Sequence, residues 1–150
     1  MPIIKVQANS FRDGDDAQSP LIVDRFGPAW DFNPNIGETV AITAFAMPDD
    51  WDGGPVFVSA LANYDGGGSA GIEVSAEVMA SYAGTPNYGT PEVMTFANAD
   101  SVFKLWGAVE VTPNGSAGTG QFMAIKFVRT NATLGTGSVA VKEFLVEYDV

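Results

Sequence analysis

Apolar side chains recur at every second position along several stretches of this chain, and this period constrains its fold more than any other feature. Across residues 72–80 the even positions are Ile, Val or Ala, and the odd positions include Glu73 and Glu77. A period of two places successive side chains on opposite faces of a β-strand. The segments 102–111 and 139–148 alternate in the same way. All three are predicted to be strands with one buried and one wet face.

Other segments are apolar throughout, which predicts strands that are covered on both sides. Together with the alternating segments and two earlier ones, they bring the expected number of strands to about eight, separated by turns rich in Gly, Pro, Asn and Asp. The apolar segments are 39–47, 55–62 and 122–128, and the earlier ones are 3–8 and 21–26. A single helical turn near 95–99 is the most helix that the pattern allows.

About eight antiparallel strands in one chain of 150 residues predict an all-β fold, a two-sheet antiparallel sandwich of the jelly-roll type. An immunoglobulin-like sandwich usually fits in about 100 residues and suits the length less well. The length is that of one domain, 1–150, in which residues 1–12 are a candidate N-terminal arm. Such an arm needs a partner to order it.

Composition removes most enzymes and most nucleic-acid-binding proteins from consideration. The chain has no Cys and no His, so thiolate catalysis, His-dependent triads and the usual zinc sites are excluded. Seven Lys and Arg residues stand against 18 Asp and Glu, a formal net charge of −11. This excess argues against binding DNA, RNA or anionic lipid. No apolar run reaches the ~20 residues of a membrane span, and the N-terminus turns polar too early for a signal peptide, so we expect a soluble protein made in a cytoplasm.

Two carboxylates on one strand, Glu73 and Glu77, are the obvious pair to test for glycoside cleavage. Four residues of extended chain separate them by about 13 Å. That separation exceeds the roughly 6.5–9.5 Å of an inverting pair. We therefore expect no catalytic residue and no enzymatic activity.

Two acidic clusters, each containing Gly, are candidates either for calcium binding or for solvated turns. Clustered carboxylates are the ligands that calcium prefers, but the EF-hand spacing is absent from both. Asp next to Gly is equally typical of a tight turn, and we favour turns and predict no metal and no cofactor. The clusters are Asp13, Asp15 and Asp16, and Asp49, Asp50 and Asp52.

One motif in the chain resembles a signature of known proteins. Within residues 45–78 a strand ends at Pro48, the sequence Asp-Trp-Asp-Gly-Gly follows at 50–54, and a second strand leads to a Gly-rich loop. Matching blocks are the aromatic lead-in at 28–32, the strand 122–129 that ends in Arg, and the last strand, 138–148, that ends in Glu-Tyr. This arrangement is similar to small β-sandwich structural proteins of tailed bacteriophages, of the capsid decoration (cement) or head-fibre type. The resemblance implies a jelly-roll homotrimer.

On this resemblance the expected function is that of a capsid decoration protein on the outer surface of the virion. Its partners would be the major capsid protein and itself, and binding only to the assembled shell would stabilise that shell. The apolar segments 39–47 and 122–128 are candidates for the subunit interface, and residues 2–10 for contact with the capsid. The individual candidate contact residues are Ile3, Ile4, Val6, Phe45, Asp49, Trp51, Phe122, Ile125, Phe127 and Arg129.

The alternative is a head-fibre or tail-fibre module that recognises a host surface glycan. Aromatic rings that stack on sugars would then lie exposed in one concave face. The candidate rings are Trp30, Trp51, Trp106, Tyr64, Tyr82 and Tyr88. Mid-strand Trp106 is equally suited to packing in the core. The rare cations Arg25 and Arg129 are expected to pair with carboxylates.

Overall fold

Two antiparallel sheets pack face to face in the computed structural model, which describes residues 1–7, 12–13, 21–24, 27–32, 39–79, 87–97, 102–115, 121–129 and 137–150. These residues contain strands and no helix, which confirms the predicted all-β sandwich. No helix long and apolar enough to cross a membrane occurs among them. The strands are β1 (Ile3–Gln7), β2 (Arg12–Asp13), β3 (Leu21–Asp24), β4 (Gly27–Phe32), β5 (Thr39–Ala46), β6 (Val56–Tyr64), β7 (Ser69–Met79), β8 (Glu92–Ala97), β9 (Lys104–Val111), β10 (Phe122–Arg129) and β11 (Val139–Tyr148).

The strands divide into two sheets whose order differs from the order of the chain. The first sheet runs β3-β4-β11-β6-β9, and β1 also pairs with β11. The second sheet runs β2-β5-β10-β7-β8. Strands that are distant in sequence therefore become neighbours, as the last strand, β11, does with β1, β4 and β6.

The single helical turn that the pattern allowed near 95–99 does not occur in the described part of that segment. Residues 92–97 form β8, which pairs with β7 from Ala97 opposite Ser69 to Glu92 opposite Val74. Met94 and Phe96 are buried while Val93 is half exposed, so the segment has the period of a strand. Positions 98–99 lie outside the described residues.

Two further strands, β2 and β4, did not stand out in the sequence. β4 coincides with the aromatic lead-in at 28–32, and pairing with β3 and β11 makes it a strand. The predicted strand 21–26 is observed as β3, of which 25–26 lie outside the described residues.

The N-terminal segment lies along its own chain rather than extending from it. β1 pairs with β11 from Ile3 opposite Glu147 to Gln7 opposite Glu143, and Val6 is buried in the core. Residues 3–7 thus add a strand to the first sheet, whereas 8–11 lie outside the described residues.

The core is the layer of side chains between the two sheets. Phe127 of β10 and Phe144 of β11 stack across that layer with their ring centroids 3.7 Å apart and an interplanar angle of 11°. Each ring comes from the buried face of a different sheet, so this contact joins the two sheets directly. Aromatic rings carry the largest apolar area of any side chain into a core.

A buried cation, Arg129, lies at one end of the core. Its guanidinium is fully buried and donates from Nη1 to the carbonyl oxygen of Phe32 at 2.8 Å and to that of Gly137. Arg129 ends β10 in the second sheet, whereas both acceptors belong to segments of the first sheet. The hydrogen bonds of Arg129 therefore tie the two sheets together at this end of the sandwich.

Two carboxylates face this cation and form with it the Arg129 cluster, which we define as Arg129, Asp31, Asp65 and Ser138. Asp65 Oδ1 accepts a 2.8 Å hydrogen bond from the backbone nitrogen of Ser138. Burial raises the pKa of Asp31, and the Ser138 hydrogen bond and the Arg129 charge only partly oppose this. Burial likewise lowers the pKa of Arg129, although a guanidinium keeps its proton at any ordinary pH.

Replacing Arg129 with Met is expected to lower the free energy of unfolding by about 3 kcal/mol or more, because two buried carbonyl groups and the nearby carboxylates lose their partner. Arg129→Lys keeps the charge but not the fork of donors, so its free energy of unfolding is expected to lie between those of the wild type and Arg129→Met. Urea unfolding measures the difference, with Lys5→Ala, at an exposed cation, as the control. An Arg129→Met protein as stable as the wild type would contradict this account.

The substitution Asp31→Asn is expected to change the free energy of unfolding more favourably at neutral pH than at acidic pH. Because the pKa of Asp31 is raised above 3.8, its contribution to stability is fully present below that value and is lost as the pH rises through the folded-state pKa. Urea unfolding of both proteins from about pH 3.5 to pH 7 should show a gap that moves in favour of the variant as pH increases. A gap independent of pH would refute the assignment, and Asp49→Asn is the matched control for loss of one charge.

Candidate functional site

The predicted contact residues do not come together on one surface. Ile3 is half exposed on β1 of the first sheet, whereas Phe45 and Phe122 are half-buried on β5 and β10 of the second sheet. Asp49 and Trp51 lie in the turn between β5 and β6, where Asp49 is exposed and Trp51 packs partly against the core.

Four of the predicted contact residues belong to the interior of the sandwich, and a fifth, Ile4, packs against it. A side chain held between the sheets is not available to a partner as long as the sandwich stays closed. The four are Val6, Ile125, Phe127 and Arg129. The contact role of the exposed residues stays a prediction.

The Asp-rich segment 49–54 is a turn, as the sequence favoured. The backbone nitrogen of Trp51 donates to Pro48 O at 3.2 Å, and that of Gly54 donates to Asp52 Oδ1 at 2.8 Å. Gly53 has φ +84°, a conformation that favours glycine. Among the described residues, no group of three or more His, Cys, Asp or Glu is placed to hold a metal ion.

The aromatic residues proposed as a sugar platform do not share one exposed face. Trp30 and Tyr64 are buried in the core. Trp106 is partly buried, donates from Nε1 to Ala62 O at 3.0 Å and lies 5.2 Å from the Phe96 ring. Tyr88 is half-buried near the outer face of the second sheet, and Tyr82 lies outside the described residues.

A cleft of about 430 Å³ opens at one edge of the sandwich, and we call it the edge cleft. It lies where the start of β8, in the second sheet, faces the end of β9, in the first. Its lining is mostly polar and comprises Gly89, Thr90, Glu92, Thr112, Pro113 and Asn114.

The edge cleft has two walls, residues 87–92 and residues 112–114. Backbone hydrogen bonds to β7 hold both walls in place. β8 pairs with β7 only as far as Val74, so the later part of β7 has a free edge on that side. There Ala76 O accepts from Gly89 N at 2.9 Å and from Asn114 N at 3.0 Å, and Val78 N donates to Asn114 O at 2.7 Å. The cleft is therefore anchored to a central strand on both sides, which pre-organises its polar groups.

A side-chain bond joins the two walls directly. Asn114 Nδ2 donates to Asn87 O at 2.8 Å, and the backbone nitrogen of Asn87 donates to the carboxylate of Glu77 on the outer face of β7. Tyr88, the residue between Asn87 and Gly89 in the chain, lies beside Lys126 of β10, whose Nζ is 5.7 Å from the ring centroid. Hydroxyl, amide and carboxylate groups thus line the edge cleft.

Sequence reasoning missed this site. Its residues come from two segments about 20 positions apart, and each segment alone has the composition of an ordinary turn. The signal in the sequence is Pro113-Asn114-Gly115, which by itself predicts only a turn between strands. Glu77, discounted as a catalyst, helps to position the wall through Asn87.

Comparison with known proteins identifies the fold but no family. The sequence matches no protein-family profile and no curated protein. Among solved structures, the CBM36-1 domain of a multidomain xylanase from the hindgut metagenome of Trinervitermes trinervoides is similar, with a TM-score of 0.62, 12% identity and 99% of both chains covered.

Two larger proteins contain the same fold. An arabinose-bound GH51 α-L-arabinofuranosidase gives a TM-score of 0.56 at 12% identity, covering 95% of this chain and 24% of that one. The CBM22-1–GH10 modules of Clostridium thermocellum endo-1,4-β-D-xylanase 10B, complexed with xylohexaose, give 0.53 at 14%, covering 97% and 27%. This chain spans about a quarter of those two. The similarity confirms the predicted jelly-roll sandwich, and fold alone does not assign function.

The substitution Gly89→Ala is expected to distort the edge cleft and destabilise the protein by about 1–3 kcal/mol. A Cβ at this position would lie 2.7 Å from Thr112 O and 3.1 Å from Asn114 N, both backbone atoms of the opposite wall. Thermal unfolding checks the effect. Gly67→Ala is the matched control, because a Cβ there meets nothing within 4 Å. Equal stability of the two variants would contradict the close approach of the walls.

Proposed function

We propose that this chain is a non-catalytic glycan-binding module and that it holds a sugar chain in the edge cleft. The observation that carries the proposal is the cleft itself: a pre-organised depression lined by hydroxyl, amide and carboxylate groups. Its volume of about 430 Å³ is within the range of small-ligand sites.

The chemistry of the lining suits sugar hydroxyl groups. Thr90, Thr112 and Asn114 provide both donors and acceptors, and Glu92 provides acceptors alone. All four side chains carry their polar groups at an exposed position, so a ligand can replace water without leaving a buried group unpaired.

Binding is favoured over hydrolysis because the cleft carries one carboxylate. Glycoside cleavage requires two carboxyl groups roughly 5–10 Å apart across the scissile bond. Among the lining residues, Glu92 is the only carboxylate. This supports a module that holds a glycan and leaves it intact.

The similar structures support the proposal through the kind of protein in which this fold occurs, not through sequence. They include a domain of a xylanase, an arabinose-bound arabinofuranosidase and xylanase modules complexed with xylohexaose. The same sandwich in this chain is compatible with a role in sugar recognition, for which we propose the edge cleft.

A phage setting remains compatible with this function, since the fibre-type alternative expected recognition of a host glycan. Capsid decoration, the homotrimer, the major capsid protein as partner and the virion location stay predictions from the resemblance. Co-sedimentation with capsids tests them separately from sugar binding.

Isothermal titration with xylohexaose, the ligand of the Clostridium thermocellum complex, is the first test, followed by a panel of plant and bacterial glycans. We expect Thr112→Ala to weaken binding about five-fold, because the lining loses a hydroxyl group that can pair with the sugar. Asn114→Ala should weaken it further, because it also releases the bond between the walls.

Thr95→Ala is the control for these titrations, since Thr95 is exposed on β8 but does not line the cleft. Binding that survives both cleft substitutions would place the sugar elsewhere. The absence of binding to every glycan in the panel would reject the proposed function.

A further inference from the structure

Four of the seven positively charged side chains of this protein are engaged within the fold. Three of the four lysines lie over aromatic rings: Lys104 Nζ is 4.5 Å from the centroid of Trp106, Lys142 Nζ 4.7 Å from that of Phe103, and Lys126 Nζ 5.7 Å from that of Tyr88. Arg129 is buried between the sheets. A cation over the face of a ring is attracted by its quadrupole, so these ammonium groups have partners already.

The border of the edge cleft is acidic by contrast. Glu92 is exposed and lines the cleft. Glu77 lies on the outer face of β7, where its carboxylate accepts a hydrogen bond from the backbone nitrogen of Asn87. Among the described residues, the lining of the cleft includes no Lys and no Arg. The formal net charge of the whole chain, −11, has the same sign as the charge at the cleft.

We infer that Glu92 makes the edge cleft selective by charge, so that it takes glycans of amino sugars in preference to glycans of uronic acids. The inference rests on the proposed function and names its ligand class. A glycan ammonium near Glu92 gains a charge-assisted hydrogen bond. A glycan carboxylate there meets a like charge with no cation in the lining to offset it, and like-charge juxtaposition disfavours a partner.

The magnitude of the effect follows from the exposure of Glu92. Exposed ion pairs are worth little because water and salt screen them. We therefore expect about a three- to five-fold preference at each step from anionic to neutral to cationic sugar, not a complete exclusion. The preference must shrink as salt is added, whereas the hydrogen bonds to the uncharged lining groups must persist.

The test compares three hexasaccharides of one charge state each: glucosamine oligomers, N-acetylglucosamine oligomers and galacturonic acid oligomers. Titrations at about pH 5.5 keep the amino sugar protonated, since its amine titrates well above that pH. For the wild-type protein we expect affinity to decrease in that order, by about three- to five-fold per step, and the order to weaken in 0.5 M salt.

The variant Glu92→Gln is expected to bring the three affinities to within about two-fold of one another. Glu110→Gln, an exposed carboxylate on β9 outside the cleft lining, is the matched control and should preserve the order. This pair of variants separates the local charge of Glu92 from the overall charge of the protein.

The outcomes distinguish the inference from the function on which it rests. If the neutral sugar binds and Asn114→Ala weakens it, but Glu92→Gln leaves the order unchanged, charge selection is overturned and the glycan module stands. A collapse of the order in Glu110→Gln as well overturns the assignment to Glu92. If none of the three sugars, xylohexaose or the wider panel binds, both proposals are rejected.

Discussion

The face-to-face packing of two sheets is the constraint on which the rest of this structure depends. Each sheet has one apolar face, and neither face can be satisfied except by the other. The Phe127–Phe144 stack at 3.7 Å marks the contact between them. Because interiors are close-packed, the distance between the sheets at this stack limits what can be accommodated elsewhere in the layer. A charged side chain fits only at the end of the core, where Arg129 finds backbone carbonyl groups of the first sheet.

The edge cleft is a consequence of strands of unequal length. β7 extends beyond its pairing with β8, and the backbone groups of Ala76 and Val78 that remain must find partners. Gly89 and Asn114 supply those partners from two different segments. The hydrogen bonds that satisfy the free edge of β7 thereby bring two polar turns close to each other and fix the distance between them. The site is rigid for the same reason that the sandwich is stable.

The charge distribution of the protein connects fold and proposed function. With 7 basic residues against 18 acidic ones, the fold places three of its lysines over rings and one arginine in the core. Among the described residues, the edge cleft is left with a polar lining whose one charged group is Glu92. This is the arrangement on which the proposed preference for uncharged or positively charged sugars rests.

The sequence alone determined that this chain forms strands, that the strands make a sandwich, and that its chemistry lacks thiol and imidazole groups. Alternation reports which face of a strand is buried, and this is a local property of residues such as those of 72–78. It does not report which strand lies beside which. Only the tertiary structure turned 92–97 into a strand through pairing with β7, and it withdrew Ile125, Phe127 and Arg129 from the surface. It also joined Asn87 to Asn114, since a hydrogen bond between residues 27 positions apart exists only when the folded sheets bring them into register.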